Sequence, residues 1–115
     1  MTKIIISGSR NYNNKEFVYK KLDEILREYK HIVIVEGGAT GVDALARQYA
    51  IDNYIPYKEF PASWSLFGRK AGVLRNQQMA DYSDVLIAFY NGSRGTSNMI
   101  KEAKKRHLII HIVEI

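Results

Sequence analysis

The sequence predicts an α/β fold with a parallel sheet of about five strands and helices on both faces. Short β-rich runs alternate with segments whose apolar residues recur at helical spacing, a pattern typical of parallel strands joined by crossover helices. Glycines and small polar residues collect after several strands, where the loops of such a sheet lead into helices. The 115 residues suit one hydrophobic core, so residues 1–115 are expected to form a single Rossmann-like domain.

The elements follow one another in regular order along the chain. Five strands are predicted, at residues 4–6, 32–35, 57–60, 85–88 and 109–113. Four helices are predicted between them, over residues 18–29, 42–53, 70–82 and 96–106. No internal repeat, low-complexity stretch or linker interrupts this order.

Composition narrows the classes of function. Lysine and arginine number 17 against 12 acidic residues, and a net charge of +5 favours anionic partners. The densest basic run, residues 101–106, lies near the end of a predicted helix, where cations complement the helix dipole, so we interpret it mainly as a solvated helix face. The chain has no cysteine, which excludes disulfides, thiolate metal sites and cysteine nucleophiles.

Targeting and metal signals are weak. No apolar run approaches the roughly 20 residues that cross a bilayer, and the first residues are too short for a secretory signal, so no membrane partner and a cytoplasmic location are expected. His31, His107 and His111 share no metal-ligand spacing, and we expect neither a metal nor a cofactor. Ser7 and Ser9 have no evident histidine partner for a hydrolase triad.

Three glycine-containing loops are the main functional signal. They are Gly8 to Arg10, Gly37 to Gly41, and Asn91 to Thr96, each directly after a predicted strand. The carboxyl ends of parallel strands meet at one edge, where free N–H groups at helix starts suit a phosphate. Neither the G-x-G-x-x-G fingerprint nor a P-loop is present, which argues against dinucleotide dehydrogenases and P-loop nucleotidases.

Individual side chains near these loops have competing interpretations. Asp43 has two equally favoured interpretations. It forms a T-x-x-D capping box with Thr40, or it accepts a hydrogen bond from a ribose hydroxyl. Glu36 ends a buried strand, where a carboxylate must find donors or take up a proton. Trp64 and Phe67 either stack on a base or cover the core. Five cations are phosphate candidates or solvated surface groups, with solvation favoured for Lys70 and Arg94: Arg10, Arg69, Lys70, Arg75 and Arg94.

Several strings together resemble a known family. They are G-S-R at 8–10, E-G-G-A-T-G-V-D-A-L-A at 36–46, F-P-A-S-W at 60–64, G-R-K-A-G-V-L-R-N-Q-Q-M-A at 68–80 and G-S-R-G-T-S-N-M at 92–99. The chain resembles YspA-like domains of the SLOG superfamily, which occur in bacteria and phages. Wider relatives include LOG-type phosphoribohydrolases and DNA-processing protein A. The resemblance implies a Rossmann-like fold with a nucleotide-related ligand site.

The resemblance to LOG enzymes is incomplete at the motifs that carry their chemistry. Those enzymes cleave the N-glycosidic bond of a nucleoside monophosphate with an arginine in R-x-x-x-M and a glutamate in G-G-x-G-T-x-x-E. Arg75 to Met79 matches the first motif, but Met99 stands where the glutamate belongs. Methionine cannot handle a proton, so enzymatic activity is uncertain, with Glu36, Asp43 and Arg75 as candidate catalytic residues.

The residues and the resemblance lead to one main expectation and two alternatives. The main one is a protein that senses or sequesters a nucleotide-derived molecule, such as an ADP-ribose derivative or a cyclic nucleotide, in phage–host immunity. The alternatives are N-glycosidic hydrolysis and single-stranded nucleic-acid binding, the latter disfavoured by the scattered positive charge. The resemblance also implies a homo-oligomer. The predicted ligand-binding residues are Gly8, Ser9, Arg10, Glu36, Gly37, Gly38, Ala39, Asp43, Trp64, Arg75, Asn76, Gly92, Gly95 and Thr96.

Overall fold

The computed structural model describes all residues, 1–115, and contains five strands and five helices. The strands are β1 (Thr2–Gly8), β2 (Ile32–Glu36), β3 (Tyr57–Glu59), β4 (Val85–Tyr90) and β5 (Ile109–Glu114). The helices are α1 (Lys15–Leu26), α2 (Val42–Asp52), α3 (Trp64–Phe67), α4 (Lys70–Tyr82) and α5 (Arg94–Lys105). None of these helices has both the length and the apolar character that a bilayer crossing requires.

The five strands form one sheet in the order β3-β2-β1-β4-β5, and every neighbouring pair is parallel. This confirms the predicted α/β fold with a five-stranded parallel sheet. After β1 the chain builds outward through β2 and β3, whereas β4 and β5 are added on the other side. The strand order therefore reverses between β1 and β4, and ligands of such sheets bind in the crevice at this point.

Helices cover both faces of the sheet, as predicted. On one face, α1 and α2 pack through Val18, Leu22 and Ala46 against the side chains of Ile4 and Ile6. On the other face, α4 and α5 pack around Ile5, the β1 residue between those two isoleucines. This alternation is the two-residue period of a strand, and it explains why β1 is apolar on both sides.

Two local predictions were wrong. The segment after β3 contains a fifth helix, α3, whose four residues are too few to produce a helical repeat of apolar positions. The predicted capping box of Thr40 and Asp43 is also absent, because Gly41 is the N-cap of α2 and no side chain caps this helix. Thr40 instead donates its hydroxyl to the carbonyl oxygen of Arg10 at 2.9 Å. Gly41 has φ of 71°, a left-handed conformation that threonine would adopt only with strain.

Candidate ligand-binding site

A cavity of about 230 Å³ opens where the strand order reverses, and we call it the switch-point cavity. The loops after β1, β2 and β4 meet there, so the predicted convergence of three loops is what the fold produces. Of its 14 lining residues only two are hydrophobic, which distinguishes it from the apolar core below it. The lining residues are Ser7, Gly8, Ser9, Arg10, Asn11, Ala39, Asp43, Arg75, Asn76, Met79, Ser93, Arg94, Gly95 and Thr96.

The start of α5 supplies one wall of this cavity. Ser93 is the N-cap, and no side chain occupies the free N–H groups of the first turn. The Ser93 hydroxyl bonds instead to the Thr96 hydroxyl at 2.8 Å. A helix start with unpaired N–H groups carries partial positive charge, and Arg94 adds a full positive charge beside it. This wall is suited to an anion.

The loop after β1 is held rigidly against the start of α2. The carbonyl oxygen of Ser9 accepts from the N–H of Val42 at 3.2 Å and from that of Tyr12 at 3.3 Å. A Cβ at Gly41 would overlap the backbone of Ser9 and Arg10. The close approach of these two segments therefore requires glycine, and it fixes the opposite wall of the cavity before any ligand arrives.

Arg75 and Asn76 on α4 connect the loop after β2 to the start of α5. Arg75 donates Nη1–H to the carbonyl oxygen of Gly37 at 2.5 Å, and its Nε donates to the side-chain oxygen of Asn76 at 3.0 Å. Asn76 in turn donates to the carbonyl oxygen of Gly95 at 3.2 Å. Arg75 is thus oriented by protein contacts at the cavity.

A second cavity of about 440 Å³ adjoins the first, and we call it the Trp64 cavity. Both cavities are lined by Arg10, Ala39 and Arg75, so the two spaces meet at a pair of cations. Trp64 is 53% exposed, and a Cβ at Gly72 of α4 would lie only 3.2 Å from its ring. Glycine at this position lets the indole lie close to the helix and present an aromatic surface to the cavity.

Asp43 is the carboxylate that reaches the switch-point cavity. It is 7% exposed, and its Oδ2 accepts from the N–H of Ala39 at 3.2 Å. Burial raises the pKa of Asp43 to about 6, although the N–H of Ala39 and the charge of Arg75 partly oppose this rise. A carboxyl group with this pKa changes protonation near neutral pH, and it is well placed to bind a hydroxyl or exchange a proton.

Glu36 lines neither cavity, contrary to its prediction as a ligand-binding residue. It is fully buried at the end of β2, where its Oε1 accepts from the N–H of Gly38 at 2.7 Å and Oε2 has no partner. It pairs in register with Glu59 of β3. Burial raises the pKa of Glu36 to about 8, the Gly38 N–H opposes this rise, and the nearby Glu59 and Asp43 carboxylates reinforce it.

Most of the remaining predicted residues line one of the two cavities or both. Gly8, Ser9, Arg10, Ala39, Asn76, Gly95 and Thr96 line the switch-point cavity, and Gly37, Gly38 and Trp64 line the Trp64 cavity. Gly92 and Phe67 line neither cavity. Gly92 has φ of 90° and nothing near its Cβ position, so it shapes the turn before α5.

Three further residues line the cavity. Arg94 is exposed, as its interpretation as a solvated residue predicts, and it also lines the cavity, as do Asn11 and Ser93, which were not among the predicted ligand-binding residues. Their signal in the sequence was their position: Ser93 and Arg94 lie within the loop Asn91 to Thr96, and Asn11 directly follows the loop Gly8 to Arg10. Met99, at the position of the LOG glutamate, is fully buried in the core between the sheet, α4 and α5. That position faces the core here, so methionine fills it as a packing residue.

Comparisons with known proteins indicate the family to which the chain belongs. The sequence profile of the YAcAr family, described as the YspA, cpYpsA-related SLOG family, matches residues 2–67. The Gene 61 protein of Mycobacterium phage D29 is 38% identical over 114 residues, covering 91% of this chain and 90% of that protein.

Two solved structures share the fold at low sequence identity. DNA processing protein A from Streptococcus pneumoniae gives a TM-score of 0.79 at 17% identity, over 97% of this chain and 50% of that one. DNA processing protein A from Helicobacter pylori, described for its single-stranded DNA binding mode, gives 0.75 at 20% identity, over 96% of this chain and 64% of that one. The profile match covers more than half of the sequence, and the phage relative is similar along nearly all of it. The chain belongs to the YspA, cpYpsA-related SLOG family.

Proposed function

We propose that the protein binds a nucleotide-derived small molecule, such as an ADP-ribose derivative or a cyclic nucleotide, across the switch-point and Trp64 cavities. The observation that carries this proposal is the lining of the switch-point cavity, which combines three arginines with the free start of α5 and only two hydrophobic residues. Such a lining favours a phosphate, because guanidinium groups and helix N–H groups both donate to its oxygens.

Each cavity would hold a different part of this ligand. A phosphate belongs against the first turn of α5, within reach of Arg94, and a ribose hydroxyl belongs near Asp43. A base belongs in the Trp64 cavity, where the half-exposed indole offers a stacking surface. Arg10 and Arg75 line both spaces, so a second phosphate of an extended ligand would meet them at the junction.

The biological role that fits best is sequestration or sensing of a nucleotide signal in phage–host immunity. A phage protein is a relative along nearly the whole chain, which supports this setting. The hydrogen bonds that join the site's loops to α2, α4 and α5 also support binding, since a preorganised site lowers the ordering cost that a ligand must offset. The site residues that carry chemistry elsewhere in the superfamily are only partly present, which favours retention over turnover.

Mass spectrometry of the protein mixed with a panel of nucleotides and ADP-ribose derivatives tests the proposal directly. We expect one compound to be retained unchanged and released on denaturation, and Arg94→Ala to weaken its retention. Arg27→Ala, which removes an arginine on the far side of the molecule at the end of α1, serves as the matched control. Equal loss in both variants, or no retention of any panel member, would exclude the proposed site.

N-glycosidic hydrolysis is a second candidate, favoured by one observation. Asp43 lies at the cavity with its pKa raised to about 6, the range expected of a general acid or base near neutral pH. In this mechanism Asp43 handles the proton and Arg75 orients the phosphate-bearing substrate. Release of a free base or a ribose phosphate in the same experiment would support it, and Asp43→Asn should then stop release while binding persists.

Single-stranded nucleic acid is a third candidate, which the sequence disfavoured. The fold is shared with DNA processing protein A, and Trp64 and Phe67 are each about half exposed just before Arg69 and Lys70. Aromatic platforms beside cations are typical of such binding. Fluorescence anisotropy with a labelled oligothymidine, at low and at physiological salt, separates this candidate from the small-molecule proposal. Only a single-strand-binding protein should bind the oligothymidine saturably and lose affinity for it as the salt concentration rises.

A further inference from the structure

The two edges of the sheet are protected to different extents. An edge strand carries backbone N–H and C=O groups without a partner, and proteins usually shorten such strands or place proline and lysine on them. At one edge, β3 has only three residues, with Pro56 before it and Pro61 soon after it. At the other edge, β5 has six residues, Ile109–Glu114, with neither proline nor lysine, and it pairs with β4 without a bulge. The β5 edge is therefore open to a further strand.

The pairing of β5 with β4 decides which backbone groups of β5 face outward. The N–H groups of Ile109 and Ile115 donate to carbonyl oxygens at either end of β4, at 3.2 and 3.0 Å. Because the backbone groups of a strand alternate in direction from one residue to the next, Ile110, Ile112 and Glu114 turn their N–H and C=O groups away from the sheet. These groups are free to pair with a partner strand.

Helix α5 lies beside this edge and carries unpaired positive charge on the side that faces it. The hydroxyl of Ser97 bonds to that of Tyr90 of β4 at 2.8 Å, which identifies the side of α5 towards β4 and β5. Lys101 and Lys104 follow Ser97 at helical spacings of four and seven, so they lie on the same side. Both lysines are exposed and form no ion pair. The only carboxylate of α5, that of Glu102, is 3% exposed and already paired.

Ile112 connects the open edge with this charged side of α5. It pairs in register with Ala88, whose side chain belongs to the core that α5 covers, so the side chain of Ile112 lies on the α5 side of the sheet. Ile112 is nevertheless 49% exposed. A strand added to β5 would place every second side chain on this side, near Lys101 and Lys104. Solvated helix faces usually mix charges of both signs, as α1 does with an exposed ion pair, so the single sign here favours an acidic partner.

We propose that the β5 edge binds an extended, acidic segment of another protein, which joins the sheet as a further strand and places its carboxylates beside Lys101 and Lys104. Main-chain hydrogen bonds would supply much of the affinity, and the two lysines would select acidic side chains. Neither the lysines nor Ile112 line the ligand cavities, so the proposal does not rest on the proposed function.

Two other partners fit this edge less well. The phosphodiester backbone of a nucleic acid has no donors for the outward C=O groups of β5, and aliphatic Ile112 offers no stacking surface. A second copy of the chain would bring two lysine-bearing sides of α5 together if β5 paired with itself about a two-fold axis. Glu114 is the only carboxylate that β5 could contribute to offset this repulsion.

Fluorescence anisotropy of the full chain with a labelled peptide of alternating valine and glutamate tests the proposal. We expect saturable binding, weakened at least about tenfold in K101E/K104E, because two attractive contacts become repulsive. The matched control is K20E/R27E, which changes the net charge equally at exposed positions of α1, on the opposite face of the sheet. A peptide with lysine in place of glutamate should bind wild type poorly and K101E/K104E better. Thermal unfolding of each variant shows that the fold persists.

Amide hydrogen exchange, followed by NMR, tests the added strand itself. In the free protein the N–H groups of Ile110 and Ile112 should exchange rapidly and those of His111 and Val113 slowly, because only the latter pair donates to β4. The acidic peptide should then protect Ile110 and Ile112.

Several outcomes of these two experiments would overturn the proposal. They are failure of the acidic peptide to bind, equal binding of the acidic and basic peptides, and binding without protection of the Ile110 and Ile112 amides. Protection of the same amides by an oligothymidine instead of the peptide would assign the edge to nucleic acid. Their protection at rising protein concentration, with no peptide present, would assign it to a second copy.

Discussion

The side-chain amide of Asn76 donates a hydrogen bond to the carbonyl oxygen of Gly95 at 3.2 Å, which joins α4 to the first turn of α5. The same nitrogen donates to the side-chain oxygen of Asn98 at 2.8 Å, and the side-chain oxygen of Asn76 accepts from Arg75 at 3.0 Å. Asn76 is only 4% exposed, so water cannot readily replace these bonds. One buried amide therefore links the guanidinium of Arg75 to the start of α5, both of which line the switch-point cavity.

Asn76→Ala should lower both stability and ligand affinity. It leaves the Gly95 carbonyl and the Asn98 side chain without their donor, at a cost of about 2 kcal/mol for a buried network of this size. Affinity should fall by roughly tenfold, because the helix start and Arg75 lose their fixed spacing. Chemical denaturation and calorimetric titration measure the two effects. Gln78→Ala on the exposed side of the same helix is the control, and a variant that binds like wild type would contradict the positioning role.

Two glycines at the site should respond differently to alanine. Gly41→Ala should destabilise the protein by about 2–3 kcal/mol, since the left-handed φ of 71° is strained for alanine and the new Cβ overlaps the β1 loop. A Cβ added at Gly95 would have no neighbouring atom within 4 Å, and the residue lies in a helix, so the Gly95→Ala variant should be as stable as wild type or slightly more stable. It should nevertheless weaken phosphate binding, because the methyl group enters the cavity. Thermal unfolding with and without ligand separates the two effects.

Glu36 should make stability decrease with rising pH. The folded protein keeps the Glu36 proton until about pH 8, whereas the unfolded chain releases it near pH 4.5. Between these two pH values the folded state thus binds more protons than the unfolded state. The stability that protonated Glu36 contributes is fully present below pH 4.5, and it is lost as the pH rises to about 8. Glu36→Gln should flatten this slope and raise the Tm at pH 8 by roughly 5 °C, equivalent to about 1 kcal/mol.

The comparison at two pH values provides the control for this substitution. At pH 4.5 the wild-type side chain is already protonated, so Glu36→Gln should change the Tm little. A variant that is equally stabilised or destabilised at both pH values would show that packing, and not ionisation, governs this position. Ligand affinity should remain near that of wild type, since Glu36 lines neither cavity.

Trp64→Ala should reduce affinity only for ligands that carry a base. Stacking of a base on an aromatic side chain is worth about 1–3 kcal/mol, which corresponds to a loss of roughly 5- to 150-fold. Ribose 5-phosphate, which lacks a base, should bind wild type and variant alike. Trp64→Phe should recover part of the loss. An equal loss of affinity for both kinds of ligand would indicate that the indole supports α4 through Gly72 and does not contact the base.

The general plan of the molecule could be predicted from sequence because its signals are local. The three isoleucines of β1, the helical repeat of α4 and the glycines after β1, β2 and β4 depend on neighbouring residues alone. Parallel connectivity then required the loops to meet at one edge, which is why Gly8, Asp43, Arg75 and Gly95 could be assigned to one site before their distances were known.

The tertiary structure alone decided which way the ambiguous side chains face. Glu36 at the end of β2 and Asp43 in α2 were both candidate acids, yet the fold buries Glu36 beside Glu59 and leaves Asp43 at the cavity. Arg94 is exposed, as expected of a solvated residue, but the break in strand order also places it at the cavity, at the start of α5. Sequence thus determined the elements and the edge where they meet, while the direction of each buried polar group followed from contacts between residues distant in the chain, which no local pattern encodes.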